Sequence, residues 1–252
     1  MIGMSCTGFS AFSVEEIAEK VSKKFTLWEI FSEAEHSIGK NWSRLRDIKK
    51  SYNLEFSVHT PISDTNIAAL TDRMREASVL EMIHTAEVSS EIGAKLVVVH
   101  PGLSSLSVPG TEERAKEHAK KSLRTLDRIS REYGIVFAVE NMPNFPPMLG
   151  KTAEELAELI EGTNLSVCFD IGHANTTNQI DSVISLLGDR FANVHLHDNM
   201  GDTDSHLTVG DGNIDFPKAI DALSRYRGNY IIESKSFESA VESARRLSVL
   251  FD

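Results

Sequence analysis

Cysteine is nearly absent: the 252-residue chain has two. Cys168 lies inside an apolar run and Cys6 near an apolar start, so buried free thiols are expected rather than a disulfide. No stretch approaches the ~18 consecutive apolar residues of a membrane span. The first residues, MIGMSCTGFS, lack a basic segment followed by a long apolar one. No signal peptide is therefore expected, and the cytoplasm is the expected compartment. There is no linker, low-complexity tract or second composition regime, and neither a nucleophile elbow nor an HExxH motif. Positive charge is scarce too: 26 Lys and Arg stand against 37 Asp and Glu, a formal net charge of −11. Such a chain repels nucleic-acid phosphate unless it gathers a local basic face.

What is present is repetition. Eight apolar runs alternate with amphipathic helical stretches: residues 2–5, 25–31, LEFSVHT, KLVVVHP, IVFAVEN, LSVCFDIGH, FANVHLHD and YIIES. Ser13 with Glu16 and Thr152 with Glu155 fit the S/T-x-x-E helix start. Gly93, Gly134 and Gly162 follow helical segments, as helix-ending glycines do. Runs of Val, Ile, Leu and Phe without polar alternation mark parallel strands covered on both faces. Eight βα units within 252 residues predict an α/β fold, a (β/α)8 TIM barrel formed by residues 1–252 as a single domain. A doubly wound sheet is the alternative.

The polar residues favour the barrel. The last six runs end in His59, His100, Glu140, Asp170 with His173, His195 and Glu233, and Asp204 and His206 follow in a loop. A barrel brings all strand C-termini to one mouth, where such residues can share cations; an open sheet spreads them along a line. Oxygen and nitrogen donors without paired thiolates select Zn, Mn, Fe or Co. Taken alone, His59 or His100 reads equally well as a hydrogen-bonded strand-end histidine. Glu140 after a buried strand needs a cation or donors. His195 and His197 alternate on one strand face, so one is a ligand and the other, with Asp198, is expected to support it. His36, His84 and His118 read as ordinary surface or boundary residues. GDGN at 210–213 reads as a tight turn rather than a phosphate loop.

VHTP, VVHPG, VENM, FDIGHA, VHLHD, DSHLTVGDGNID and IIES resemble the xylose isomerase-like TIM barrels. That superfamily holds sugar (and sugar-phosphate) isomerases and epimerases and also endonuclease IV, the zinc enzyme (AP endonuclease family 2) that cleaves DNA at abasic sites. The resemblance runs from residue 54 onward and, more loosely, through the first two strands. It implies one to three divalent ions, Zn or Mn. On the endonuclease IV pattern, His59, His100 and Glu140 would hold one ion. Glu140, Asp170, His195 and Glu233 would hold a second, and His173, Asp204 and His206 a third. On the epimerase pattern only the second position is kept, and Glu140 and Glu233 are the catalytic pair that exchange substrate protons.

Two chemistries follow: isomerisation or epimerisation of a small carbohydrate by the two glutamates, and phosphodiester cleavage by a multi-metal clamp. A catalytically idle metal- or sugar-binding barrel is a third reading. Segments 6–12, 60–71, 101–110, 172–179 and 198–214 contain no Lys, and only Lys40, Lys151 and Lys235 fall near the mouth. A phosphate-neutralising surface needs more. SCTGFSAFS also departs from the DNA-contacting loop of endonuclease IV. A small carbohydrate is therefore the expected partner, without nucleic acid or membrane; a homo-oligomer is compatible with this class. Segments 101–110 and 141–150 read equally well as covers over a small ligand or as inert surface loops, and Trp28, Phe31 or Phe145 is a candidate to stack on such a ligand or to pack in the core.

Overall fold

The computed structural model describes residues 1–251. Its strands are β1 Ile2–Ser5, β2 Leu27–Phe31, β3 Glu55–His59, β4 Leu96–Val99, β5 Val136–Glu140, β6 Ser166–Asp170, β7 Phe191–Leu196 and β8 Asn229–Glu233. They pair in parallel, each with its sequence neighbour, and β1 closes on β8. The helices are α1 Val14–Ser22, α2 Ile38–Tyr52, α3 Asp72–Glu91, α4 Glu112–Tyr133, α5 Ala153–Leu159, α6 Ile171–Thr176, α7 Ile180–Leu187, α8 Phe216–Ala222 and α9 Phe237–Ser248. This is the (β/α)8 barrel that the runs predict. Ser13 caps α1 by accepting from the Glu16 amide, and Thr152 caps α5 by accepting from the Glu155 amide. Gly134 ends α4 in the left-handed conformation, where lack of a Cβ removes the steric penalty. None of the described helices is long and apolar enough to cross a membrane.

The period of two along each strand divides the core in two. Trp28, Phe56, Val97, Val99, Phe137, Val139, Phe169, Val194 and Ile232 point outward and join the large cluster under the helices. Val98, Ala138 and Cys168 form a small separate cluster inside the barrel. Continuing two residues toward the mouth from each inward position gives His100, Glu140 and Asp170. One irregularity completes the set. Between β6 and β7 the register jumps from Val167↔Phe191 to Cys168↔Asn193, so that Ala192 is an extra residue. Without this bulge, Asn193, His195 and His197 would face the helices, because a one-residue slip exchanges the faces of a strand.

Trp28 takes the core-packing alternative, in the outer core at 1 % exposure. One expectation changes here. His36, expected near the surface, is equally buried and meets the Trp28 ring edge-on at 5.3 Å. DIGH begins a helix: Asp170 is the N-cap of α6 and accepts from the His173 amide at 2.7 Å. His84 and His118 remain partly exposed, as expected. Cys6 and Cys168 are buried free thiols.

Candidate metal centre

All nine expected ligands meet at the C-terminal mouth. Taking one donor atom from each residue, His59, His100 and Glu140 form a group within 4.8 Å. Glu140, Asp170, His195 and Glu233 form a second, and His173, Asp204 and His206 a third that also includes His197, on the same 4.8 Å criterion. Glu140 belongs to both of the first two groups. Its Oε2 lies 2.9 Å from His100 Nε2 and 3.2 Å from His59 Nε2. Its Oε1 lies 2.8 Å from His195 Nδ1.

Contacts on the far side of three imidazoles fix which of their nitrogens faces the mouth. His59 Nδ1 donates to the Thr60 carbonyl at 2.8 Å, and His173 Nδ1 to the Asn141 carbonyl at 2.9 Å. A carbonyl only accepts, so Nδ1 carries a proton and Nε2 is the nitrogen that faces the mouth. His195 is turned the other way. Its Nε2 contacts Glu29 Oε1 at 2.8 Å, and its Nδ1 faces Glu140, Glu233 Oε1 at 3.3 Å and Asp170 Oδ2 at 3.7 Å. Asp170 Oδ2 is fully buried and has no hydrogen-bond partner. Three carboxylates around one ring nitrogen, one of them with an orphaned oxygen, fit a divalent cation and require protons in its place.

The electrostatics of these side chains express the same conflict. Burial disfavours the Glu140 charge, but the imidazoles, His195 foremost among them, outweigh burial and hold its pKa well below the usual carboxylate range. Burial likewise opposes protonation of His173 and His195. The neighbouring acids, Asp170 beside His173 and Glu233, Glu29 and Glu140 around His195, raise both well above an ordinary histidine. His100 goes the other way, lowered chiefly by burial. A cation held by these residues would have to displace the protons, which would make its affinity rise with pH.

Several supporting residues lie outside the sequence reading. Glu29, fully buried on β2, accepts from Ser57 Oγ and Asn193 Nδ2 at 2.9 Å each. Asn141 clamps the end of β6, bonding the Asp170 backbone N–H at 2.9 Å and C=O at 2.8 Å. The available signal was a charged residue inside the apolar run LWEIF, because a carboxylate in a buried strand needs donors. Asp198 supports the site only indirectly. Its carboxylate accepts from the backbone of Asn199, Gly210, Gly212 and Ile214. It therefore fixes the loop that carries Asp204 and His206, and touches no candidate ligand ring. A Cβ at Gly212 would sit 2.3 Å from Asp198 Oδ1, which accounts for glycine there. The GDGN amides are thus spent within the protein, Gly210 and Gly212 on the Asp198 carboxylate and Asp211 and Asn213 on the Thr208 and Asn199 carbonyls, as a tight turn and not a phosphate loop.

Beside the ligands, the 101–110 and 141–150 segments pair with one another through Ser104 N–H to the Pro147 carbonyl at 2.7 Å and Leu149 N–H to the Gly102 carbonyl at 3.1 Å. Together they wall a cavity of about 180 Å³ lined by His100, Thr60, Leu103, Met142 and Met148. Phe31 lies against the His59 ring at 5.5 Å. Phe145, 49 % exposed, lines a neighbouring hollow with Asp202 and Asp204. Lys235 lines a third with His206 and Glu233.

Known proteins share this arrangement of strands. A solved structure described as a D-tagatose 3-epimerase-like protein superposes with a TM-score of 0.93 at 32 % identity, covering 99 % of this chain and 96 % of its own. An uncharacterized protein of Methanocaldococcus jannaschii, MJ1311, is 36 % identical over 251 residues, covering 96 % of this chain and 86 % of its own length. A probable endonuclease 4 of Staphylococcus carnosus is 32 % identical over 174 residues, covering 61 % of this chain and 53 % of its own. The family model for the xylose isomerase-like TIM barrel matches residues 18–249, and the chain belongs to that family.

Proposed function

We propose that this protein is a divalent-metal-dependent isomerase or epimerase of a small carbohydrate. The observation that carries this reading is the convergence of Glu140 and Glu233, from strands three apart in the closed sheet, on one cation position shared with Asp170 and His195. A Zn or Mn ion bound there would polarise the carbonyl and adjacent hydroxyl of a ketose and so acidify the carbon between them. Glu233 is the more accessible carboxylate, at 15 % side-chain exposure, which supports it as the one that accepts the proton from carbon. Glu140, across the shared cation position, is the carboxylate we assign to proton exchange on the opposite side of that carbon, which would invert the centre. Its Oε2 contacts His100 Nε2, and that imidazole, 20 % exposed, links the buried carboxylate to the mouth for proton return. The small cavity beside His100 and the loops without Lys support a compact substrate rather than a nucleic acid. The D-tagatose 3-epimerase-like relative supports the same class.

A second reading, a zinc phosphodiesterase of the endonuclease IV type, is favoured by one feature. His59 and His100 both aim at Glu140 Oε2 and so outline a further cation position that proton exchange does not need. The test incubates metal-defined protein with a ketose panel in deuterated water and, in parallel, with abasic-site duplex. Deuterium at the carbon beside a sugar carbonyl is the expected result. Glu233→Gln and Glu140→Gln should each lower that exchange by about 10²–10⁴-fold. Nicking of the duplex without sugar exchange overturns the proposal.

A further inference from the structure

The ring of acids and imidazoles around the mouth has a gap at the seam where the barrel closes. β3 through β8 each bring His, Asp or Glu to one of the cation groups, whereas β1 ends in Ser5 and β2 in Phe31. Ser5 is the register partner of Glu233 across that seam. Over it lies a hollow of about 90 Å³, lined by Ser5, Thr7, His206, Glu233, Ser234 and Lys235. It has half the volume of the cavity of about 180 Å³ beside His100, and so admits one small group rather than a second sugar ring.

Two donors in its wall are unspent. Ser234 is 6 % exposed and its Oγ has no hydrogen-bond partner, and a buried hydroxyl without a partner is uncommon in a native protein. Lys235 is exposed and forms no ion pair among the described residues. Glu233, which borders the same hollow, turns its oxygens to His195 Nδ1 at 3.3 Å and His206 Nδ1 at 3.7 Å instead. The other lysines near the mouth are not available there. Lys151 donates to the Pro146 carbonyl at 3.1 Å, and Lys40 lines a separate groove with Glu33 and Glu81.

We infer that Lys235, with the hydroxyl groups lining this hollow, holds an anionic group at the non-reacting end of the carbohydrate, so that the substrate is an acidic ketose bearing a terminal phosphate monoester or carboxylate. An ammonium is a point charge with three donors and suits either group. A neutral hydroxyl would be served by Ser5 and Thr7 alone. In a chain of net charge −11, an anion beside Glu233 needs a local cation to hold it. The place also fits the architecture, because (β/α)8 barrels frequently hold substrate phosphate at the loops after strands 7 and 8, and His206 and Lys235 come from those two loops. One anion needs one such lysine; a nucleic acid needs many.

This inference rests on the proposed epimerase reading and is tested apart from it. The metal-loaded full chain is given ketopentoses and ketohexoses in deuterated water, each as the free sugar, the terminal phosphate and the terminal carboxylate, and kcat/KM for exchange is measured. The best anionic form should exceed its own neutral counterpart by about 10–100-fold, and the phosphate and carboxylate arms show which group is held. Lys235→Met should cut that ratio by about 10–100-fold, chiefly through KM, while Lys235→Arg keeps most of it. Thr7→Val should lower it less. Circular dichroism checks folding of each variant, and the wild-type ratio is decisive without them. A neutral sugar turned over as well as both anionic forms overturns the inference and leaves the epimerase reading standing. So does an unchanged ratio in folded Lys235→Met. No exchange with any form overturns both.

Discussion

The outer and inner walls of the barrel come from the same strands and obey opposite rules. On the outside, Phe137, Phe169, Val139 and Ile232 are large, apolar and wholly buried against the helices. On the inside, the residues between them are small, namely Val98, Ala138 and Cys168, and then abruptly charged: Glu29, Glu140, Asp170 and His195. The outer wall gains from burial whatever the solution conditions. The inner wall buries several carboxylates, which repel one another until protons or cations intervene. The outer wall therefore carries the stability of the fold, and the inner wall carries chemistry that depends on what is bound.

That division can be broken from either side. The largest effect is expected from Phe137→Ala. This ring is fully buried outside the barrel, and its loss should lower the unfolding free energy by about 3–5 kcal/mol. Metal stoichiometry of the folded protein should not change. Denaturant unfolding with parallel metal analysis checks both, and loss of bound metal from the folded variant would show that the walls are not independent.

The second concerns His36, a buried histidine outside the barrel that no carboxylate neutralises. Burial is the main cause that lowers its pKa to about 4, against a weaker opposing contact with the Phe12 carbonyl. A histidine whose folded pKa lies below its unfolded value near 6.5 favours folding fully above that unfolded value. Its contribution is lost as pH falls from about 6.5 through about 4, to a total of about 3 kcal/mol. His36→Phe should remove this part of the acid destabilisation, as read from urea midpoints across that window. Parallel pH profiles for the variant and the wild type would place the acid sensitivity in the inner wall instead.

The smallest effect sharpens the comparison from inside. Glu29→Gln keeps the shape but removes the charge that faces His195 Nε2 at 2.8 Å. Metal affinity should fall by about 10–100-fold, as a calorimetric zinc titration of the folded variant measures. Affinity equal to wild type would remove Glu29 from any supporting role.

Much of the mouth was readable because the relevant signals are local. An apolar run that ends in His, Asp or Glu is visible within seven residues, and repeating it along the chain points to a common rim. His197 was legible as sharing a face with His195, but not as a buried ring with two free nitrogens. Glu29 passed unnoticed because its partners, Ser57 and Asn193, are 28 and 164 residues away along the chain. His36 was misjudged for the same reason: a polar-looking segment says nothing of the Trp28 ring that covers it.

The sequence alone determined the eight alternating units, the donor set and the helix ends, since hydrophobic period, residue chemistry and capping act over a few neighbouring residues. Tertiary structure decided which donors share a cation position, which histidine pairs with Glu29, and which aromatic reaches the mouth. Those outcomes depend on closure of β1 onto β8 and on the one-residue shift at Ala192. A period-two strand exchanges its faces with a single slip, so the geometry of the whole rim rests on a register that no local window of residues contains.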